Sequence, residues 1–279
     1  MKDPAERGPC VSGYPRLVVM TSALVAVGIV AGVICLISHL RLLESISGKT
    51  RLTWWPLGHS VKTVTVEGAR LSSSELAWVL QQKQVVDLRL GEAAYTANEL
   101  VAINGMMNLE VLSVRCESVD REFGRGLRLL PKLSVLLISG CQVVDEFVQE
   151  VSENENIVYL SFRSCRLKAS ALNRLASMKA LTVLNIIESE IDGLPEIEFE
   201  WTKEIRSVQL DGSKFDREWL DTFNSKYDGR LLSLSGCDIA DADLFRISGA
   251  VRLDVRNTNV TNDAATAWEM EVTGRLVEI

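Results

Sequence analysis

The strongest constraint on this chain is a phrase that returns every 24 residues. Aligned on Leu88-Arg89-Leu90, its first apolar position falls at Val64, Leu88, Leu112, Leu136, Leu160, Leu184, Val208 and Leu232. Two residues further on stand Val66, Leu90, Val114, Ile138, Phe162, Ile186, Leu210 and Leu234. A third column, seven residues after the first, reads Leu71, Tyr95, Val119, Val143, Leu167, Ile191, Phe215 and Ile239. Seven consecutive intervals of one length in three columns mark an internal repeat, and a repeat of this size marks a stacked architecture. A shorter ninth unit carries Leu253, Val255 and Val260 in the same roles.

The phrase has a direct physical reading. Apolar residues two apart make a short strand with one face buried. The second half of each unit has apolar residues at helical spacing, as in Leu76, Val79 and Leu80, Leu172, Leu175 and Met178, or Trp219, Leu220 and Phe223. Each unit is therefore expected to be a strand, a turn and a short helix. No such unit buries its apolar edge alone, so neighbours must stack into a parallel sheet backed by helices.

The pattern resembles the leucine-rich-repeat family, whose phrase is L-x-x-L-x-L-x-x-(N/C)-x-(L/I). Leu133-x-x-Leu136-x-Ile138-x-x-Cys141 and Ile157-x-x-Leu160-x-Phe162-x-x-Cys165-x-Leu167 carry it most fully. The resemblance implies an α/β solenoid with parallel strands on a concave face and short helices on the convex one. It says little of function, because one fold serves many purposes. The N/C column reads Ala69, Ala93, Glu117, Cys141, Cys165, Ser189, Ser213, Cys237 and Thr258, without an asparagine ladder, and so is similar to the cysteine-type or short bacterial-like repeats.

That column also accounts for most of the cysteines, which are Cys10, Cys35, Cys116, Cys141, Cys165 and Cys237. No CxxC pair occurs, which removes the usual zinc and thioredoxin-like signatures. Cys141, Cys165 and Cys237 are expected at the inner turn of the coil, where a thiol behaves as a small hydrophobe. Cys116 stands one place early, and is expected on the exposed side of its strand.

Ahead of the repeats, Leu17 to Ile37 is a run of 21 residues without a charge. A helix of that length rises about 31 Å, enough to cross a bilayer's hydrocarbon core. The run exceeds the apolar region of a cleaved signal peptide, and Ile37-Ser38-His39-Leu40 offers no A-x-A site. An uncleaved signal anchor is expected, which divides the chain into a polar tail (1–16), a transmembrane helix (17–37), a juxtamembrane linker and N-terminal cap (38–60) and a repeat domain of about nine units (61–279). Basic residues are level on the two sides of the span, with Lys2, Arg7 and Arg16 before it and Arg41, Lys49 and Arg51 after it. The shortness of the tail favours a cytoplasmic N-terminus and an extracytoplasmic repeat domain. The absence of cysteine-bridged caps pulls the other way. Gly28 and Gly32 form a GxxxG step that lets two membrane helices pack closely, so a homodimer through the span is one reading. The other is that glycine is simply frequent in membrane helices.

Charge narrows the partner. Residues 1–51 hold six Lys/Arg and three Asp/Glu, leaving 24 basic and 34 acidic residues, a net charge of −10, in the remainder. A body that acidic repels phosphate backbones, so nucleic acid is not expected as the main partner. A protein or peptide is expected, on the face whose residues alternate with the buried columns. Its centre combines Val111, Val135, Leu137, Tyr159, Val183, Asn185 and Ile187 with Arg115 and Arg163 at the edge. Such a mixture of apolar side chains, tyrosine and arginine resembles the make-up of binding hot spots, although valine and isoleucine suit any strand.

Catalysis is not expected. The two histidines, His39 and His59, both precede the repeats, so the solenoid has no imidazole for acid–base or triad chemistry. No GxGxxG, P-loop or HExxH pattern occurs, and no cofactor or metal is implied. Asp211 and Glu188, on adjacent units, are expected to be ordinary surface charges.

Overall fold

Each L-x-L phrase forms a strand, and the 24-residue period lays these strands side by side. The structure, a computed structural model, describes residues 49–54, 61–67, 69–194, 201–223, 227, 229–271 and 275–279. The tail, the apolar run with Gly28 and Gly32, and most of the linker lie outside the described residues. Among the described residues no helix is long and apolar enough to cross a membrane.

The main sheet has eleven strands. In order they are β1 (Thr50–Trp54), β2 (Val61–Val66), β3 (Asp87–Tyr95), β4 (Val111–Cys116), β6 (Val135–Ser139), β8 (Tyr159–Arg163), β10 (Val183–Ile187), β12 (Ser207–Gln209), β13 (Leu231–Ser233), β14 (Arg252–Asp254) and β15 (Leu276–Glu278). All neighbours are parallel except β1, which closes the β2 edge as an antiparallel strand. The register repeats the sequence period: Leu88 faces Leu112, Leu112 faces Leu136, Leu136 faces Leu160 and Leu160 faces Leu184. After the short step from Leu232 to Leu253, Leu253 faces Val277. The C-terminal segment is thus a full rung of the sheet.

Every residue of the first column, from Val64 to Leu232, is 0% exposed. Burying such a side chain contributes about 1.5–3 kcal/mol, so the column alone is a large share of the driving force. The second and third columns are buried too, with Phe215 only partly so. A smaller parallel sheet, β5 (Ser118–Val119), β7 (Gln142–Val143), β9 (Arg166–Lys168) and β11 (Glu190–Asp192), follows the turn after the main strands.

The turn itself repeats. Gly140, Ser164, Glu188, Gly212 and Gly236 occupy one position per unit, and all have positive φ, between 51° and 72°. The backbone N–H of each donates to a carbonyl of the next unit, as Gly140 does to Arg163 at 2.9 Å and Glu188 to Asp211 at 2.7 Å. The left-handed residue keeps the ladder going where the strand ends, so a kinked backbone costs no hydrogen bond.

Helices cover the opposite side: α1 (Ser73–Leu80), α2 (Ala97–Leu100), α3 (Arg121–Arg128), α4 (Asp145–Ser152), α5 (Ala169–Ala176), α6 (Asp241–Leu244) and α7 (Asn262–Glu271). Ser72 with Glu75, and Thr96 with Glu99, form capping boxes at the first two. The stretch holding Trp219, Leu220 and Phe223 is a short helix as expected, of a tighter kind than its neighbours. It is a 3₁₀ helix, Arg217–Phe223, whose three-residue turn brings Leu220 and Phe223 into line. Phe223 there stacks on Trp201 at 5.2 Å and meets Tyr227 edge-on at 5.2 Å.

The compact unit begins at Lys49. The ammonium of Lys49 lies 2.9 Å from the buried Glu75 carboxylate, which pins the start of β1 to α1. At the other end Trp268 is fully buried, donates to the Ile247 carbonyl at 2.7 Å and carries the Arg275 guanidinium over its ring at 4.4 Å.

Candidate functional site

On the open face of the main sheet, side chains alternate with the buried columns. Val135, Leu137, Tyr159, Val183 and Ile187 are half-buried there, and Arg115 and Arg163 are exposed. Parallel registration brings them together. Val135, Tyr159 and Val183 form one row across β6, β8 and β10, while Arg115, Ser139, Arg163 and Ile187 form another. Asn185 differs from expectation, because it is only 4% exposed. Its amide turns along the sheet and donates to the Tyr159 hydroxyl at 2.7 Å, leaving its Oδ1 buried without a hydrogen bond.

Between these rows lies a hollow of about 250 Å³, lined by Ser113, Leu137, Ile138, Ser139, Tyr159, Ser161, Arg163 and Ile187. Four of the residues named from sequence line it, and no carboxylate does. The serines were not singled out by their pattern. They belong to the site because a small side chain beside Tyr159 leaves room that a valine would fill.

The arginines of the open face divide into two sets. Arg89 pairs with Asp87 at 2.9 Å, Arg256 pairs with Asp254 at 2.5 Å, and Arg252 pairs with Glu278. The paired guanidinium groups of Arg89 and Arg256 hold their protons more tightly than usual, chiefly through hydrogen bonds to those carboxylates. Arg115 and Arg163 have no ion pair among the described residues. Arg115 leans across the neighbouring turn: a Cβ built on Gly140 would meet its Nε at 3.1 Å.

Asp211 and Glu188 do not form an acid pair. Asp211 accepts from Ser233 Oγ at 2.5 Å and from the Ser235 N–H at 3.2 Å, whereas Glu188 accepts from Ser164 Oγ at 3.4 Å. A second hollow, of about 450 Å³, follows the turn column and is lined by Cys141, Cys165, Arg166, Glu188, Glu190 and Lys214 among others. Two of its charges are closed on each other, since Arg166 holds Glu190 at 2.7 Å.

The described cysteines are all buried and unbridged. Cys116 is 0% exposed, contrary to its expected exposure. Strand β4 runs on through Cys116 in phase with Leu112 and Val114, so the period of two turns its thiol inward. Burial pushes the Cys116 thiol up to about 12 and the Cys237 thiol up to about 11. Cys141 is raised as well, by its contact with Cys165 at 3.8 Å and by burial. Thiols in that range stay protonated at neutral pH and are poor nucleophiles. Among the described residues no group of three His, Cys, Asp or Glu side chains is placed to hold a metal.

No family model matches the chain, and no curated protein matches it. Among solved structures, a plant ice-binding protein matches with a TM-score of 0.45 and 15% identity, over 63% of this chain and 58% of that one. The TLR13–ssRNA13 complex matches with a TM-score of 0.48 and 14% identity, over 72% of this chain and 30% of that one. The chain therefore spans less than two thirds of the length of either. Likeness at this level assigns neither a family nor a ligand.

Proposed function

We propose that this chain is a membrane-anchored recognition module that binds a protein or peptide on the open face of its main sheet and catalyses no reaction. One observation carries the reading. The half-buried Leu137, Tyr159 and Ile187 line a hollow with Arg163, and Val135 and Val183 flank Tyr159 in its row. Neither Arg163 nor Arg115 has an ion pair among the described residues, on a face where Arg89 and Arg256 are held by their own acids. Apolar and aromatic area with a nearby guanidinium is the composition that concentrates binding energy. The anchor rests on the uncharged run from Leu17 to Ile37.

The test is partner capture by the full chain and by a Tyr159→Ala, Arg163→Ala double variant. The reading predicts a partner retained by the first and lost by the second, with both chains folded by circular dichroism. A partner held equally by both would contradict it.

A second reading, self-association into a structural assembly, has its own observation. At the β15 end, Met270 is 80% exposed, Leu276 60% and Ile279 50%, beside a strand whose outer edge has no strand partner among the described residues. Exposed edges recruit further strands. Loss of self-association in Gly28→Leu, Gly32→Leu or in Leu276→Lys would favour this reading over capture by the face.

A further inference from the structure

We infer that the hollow beside Tyr159 is a carboxylate subsite, so that the partner presents an acidic side chain or a chain terminus there. The inference rests on the open-face reading above and names the chemistry of its ligand. Three observations converge. Arg115 and Arg163 share one row, separated only by Ser139, and lie two strands apart, roughly 10 Å between backbones. Arg163 lines the hollow itself, and Arg115, just outside its lining, is within side-chain reach of the same rim. Arg115 lies over Gly140, next in sequence to Ser139 of the hollow's rim, where the missing Cβ and left-handed turn leave space for the arginine stem.

The second observation is the absence of a competitor. No carboxylate lines the hollow, and neither arginine has an ion pair among the described residues, although residues 52–279 carry a net charge of −10. Elsewhere on the same face the fold supplies each arginine with its own acid. Leaving this pair open places a local positive site inside a repelling surround, which favours a small isolated anion over a polyanion.

The third is the Tyr159 hydroxyl. Because it accepts from Asn185 at 2.7 Å, its own proton is directed to another acceptor. A carboxylate held by Arg163 supplies that acceptor, with Leu137 and Ile187 flanking the ligand's aliphatic stem.

An array of immobilised hexapeptides, with Val and Ile flanking a central Glu, Gln, Arg or phosphoserine, tests the assignment on the full detergent-solubilised chain. Glu peptides are expected to bind at least about tenfold more tightly than their Gln counterparts. Arg163→Gln and Arg115→Gln should each remove that preference, while Tyr159→Phe should reduce it without abolishing apolar binding. Retention of Gln and Glu peptides alike, insensitive to either arginine, overturns the carboxylate subsite and leaves the peptide-binding reading standing. Retention of no peptide overturns both. A phosphoserine preference, or tighter binding of a single-stranded RNA dodecamer, overturns the assignment to a carboxylate.

Discussion

Gly140 shows how much one residue settles here. Its φ of +72° is the left-handed turn shared by five consecutive units, and its missing side chain leaves room for Arg115. Gly140→Ala is expected to lower stability by about 1–2 kcal/mol, the usual strain of a left-handed non-glycine residue, and to move Arg115. Thermal unfolding checks the first part and the Glu-over-Gln peptide preference checks the second. Leu136, 0% exposed in the middle of the first column, supplies a contrasting case. Leu136→Ala should cost about 2–5 kcal/mol by urea unfolding, because the rungs above and below prevent the cavity from collapsing. At this scale the sequence was readable where period two or period 24 governed. Val135, Tyr159 and Val183 were placed in one row by the repeat alone. Cys116 was misplaced because it was counted from Glu117 of the N/C column, whereas the period of two through Leu112 and Val114 runs on to it, and Asn185 because an amide can bend along a sheet to a neighbouring hydroxyl. Only the second effect leaves no mark in a column of residue types.

The elements follow from local chemistry except for the helix type in two units, Val101–Gly105 and Arg217–Phe223, which are 3₁₀. Strands match the L-x-L phrases, and Thr96 with Glu99 writes a helix start into the sequence. The 3₁₀ helix at Arg217–Phe223 could not be told from an α-helix, since apolar spacings of three and four overlap over so short a stretch. The last rungs carry a pH dependence. Asp254, 7% exposed, is held below the ordinary carboxylate range, mainly by its hydrogen bond from Arg256. A carboxyl lowered in the folded state contributes stability that is complete above its unfolded value, about pH 4, and is lost as pH falls through the lowered one. Asp254→Asn should therefore be less stable than the wild type at pH 7. The gap should narrow on acidification below about pH 4. Urea midpoints at pH 7, 4 and 2.5 decide this, and a gap independent of pH would show that the Arg256 bond does not set the titration.

Across the whole molecule, the repeat made the architecture legible far ahead of the function. A parallel sheet backed by helices follows from stacking units that cannot bury their edges alone. The ligand did not follow, because it depends on which arginines lack an acid, and side-chain reach decides that both within a rung, as for Arg89 and Asp87, and between rungs, as for Arg252 and Glu278. Topology is a separate matter of the whole chain. With an epitope after Ile279, external protease on intact cells should remove the tag if the repeat domain is extracytoplasmic, and should spare it until lysis if the domain faces the cytoplasm. The central claim, that the open face around Tyr159 receives a partner, is tested most directly by a photo-crosslinking residue at Ser139 in the full chain in its native cells, with Glu122 on α3 as the control position. The account predicts one discrete adduct from Ser139, absent from Glu122 and lost when Arg163→Ala is added. Equal adducts from both positions, or one that persists without Arg163, would contradict it.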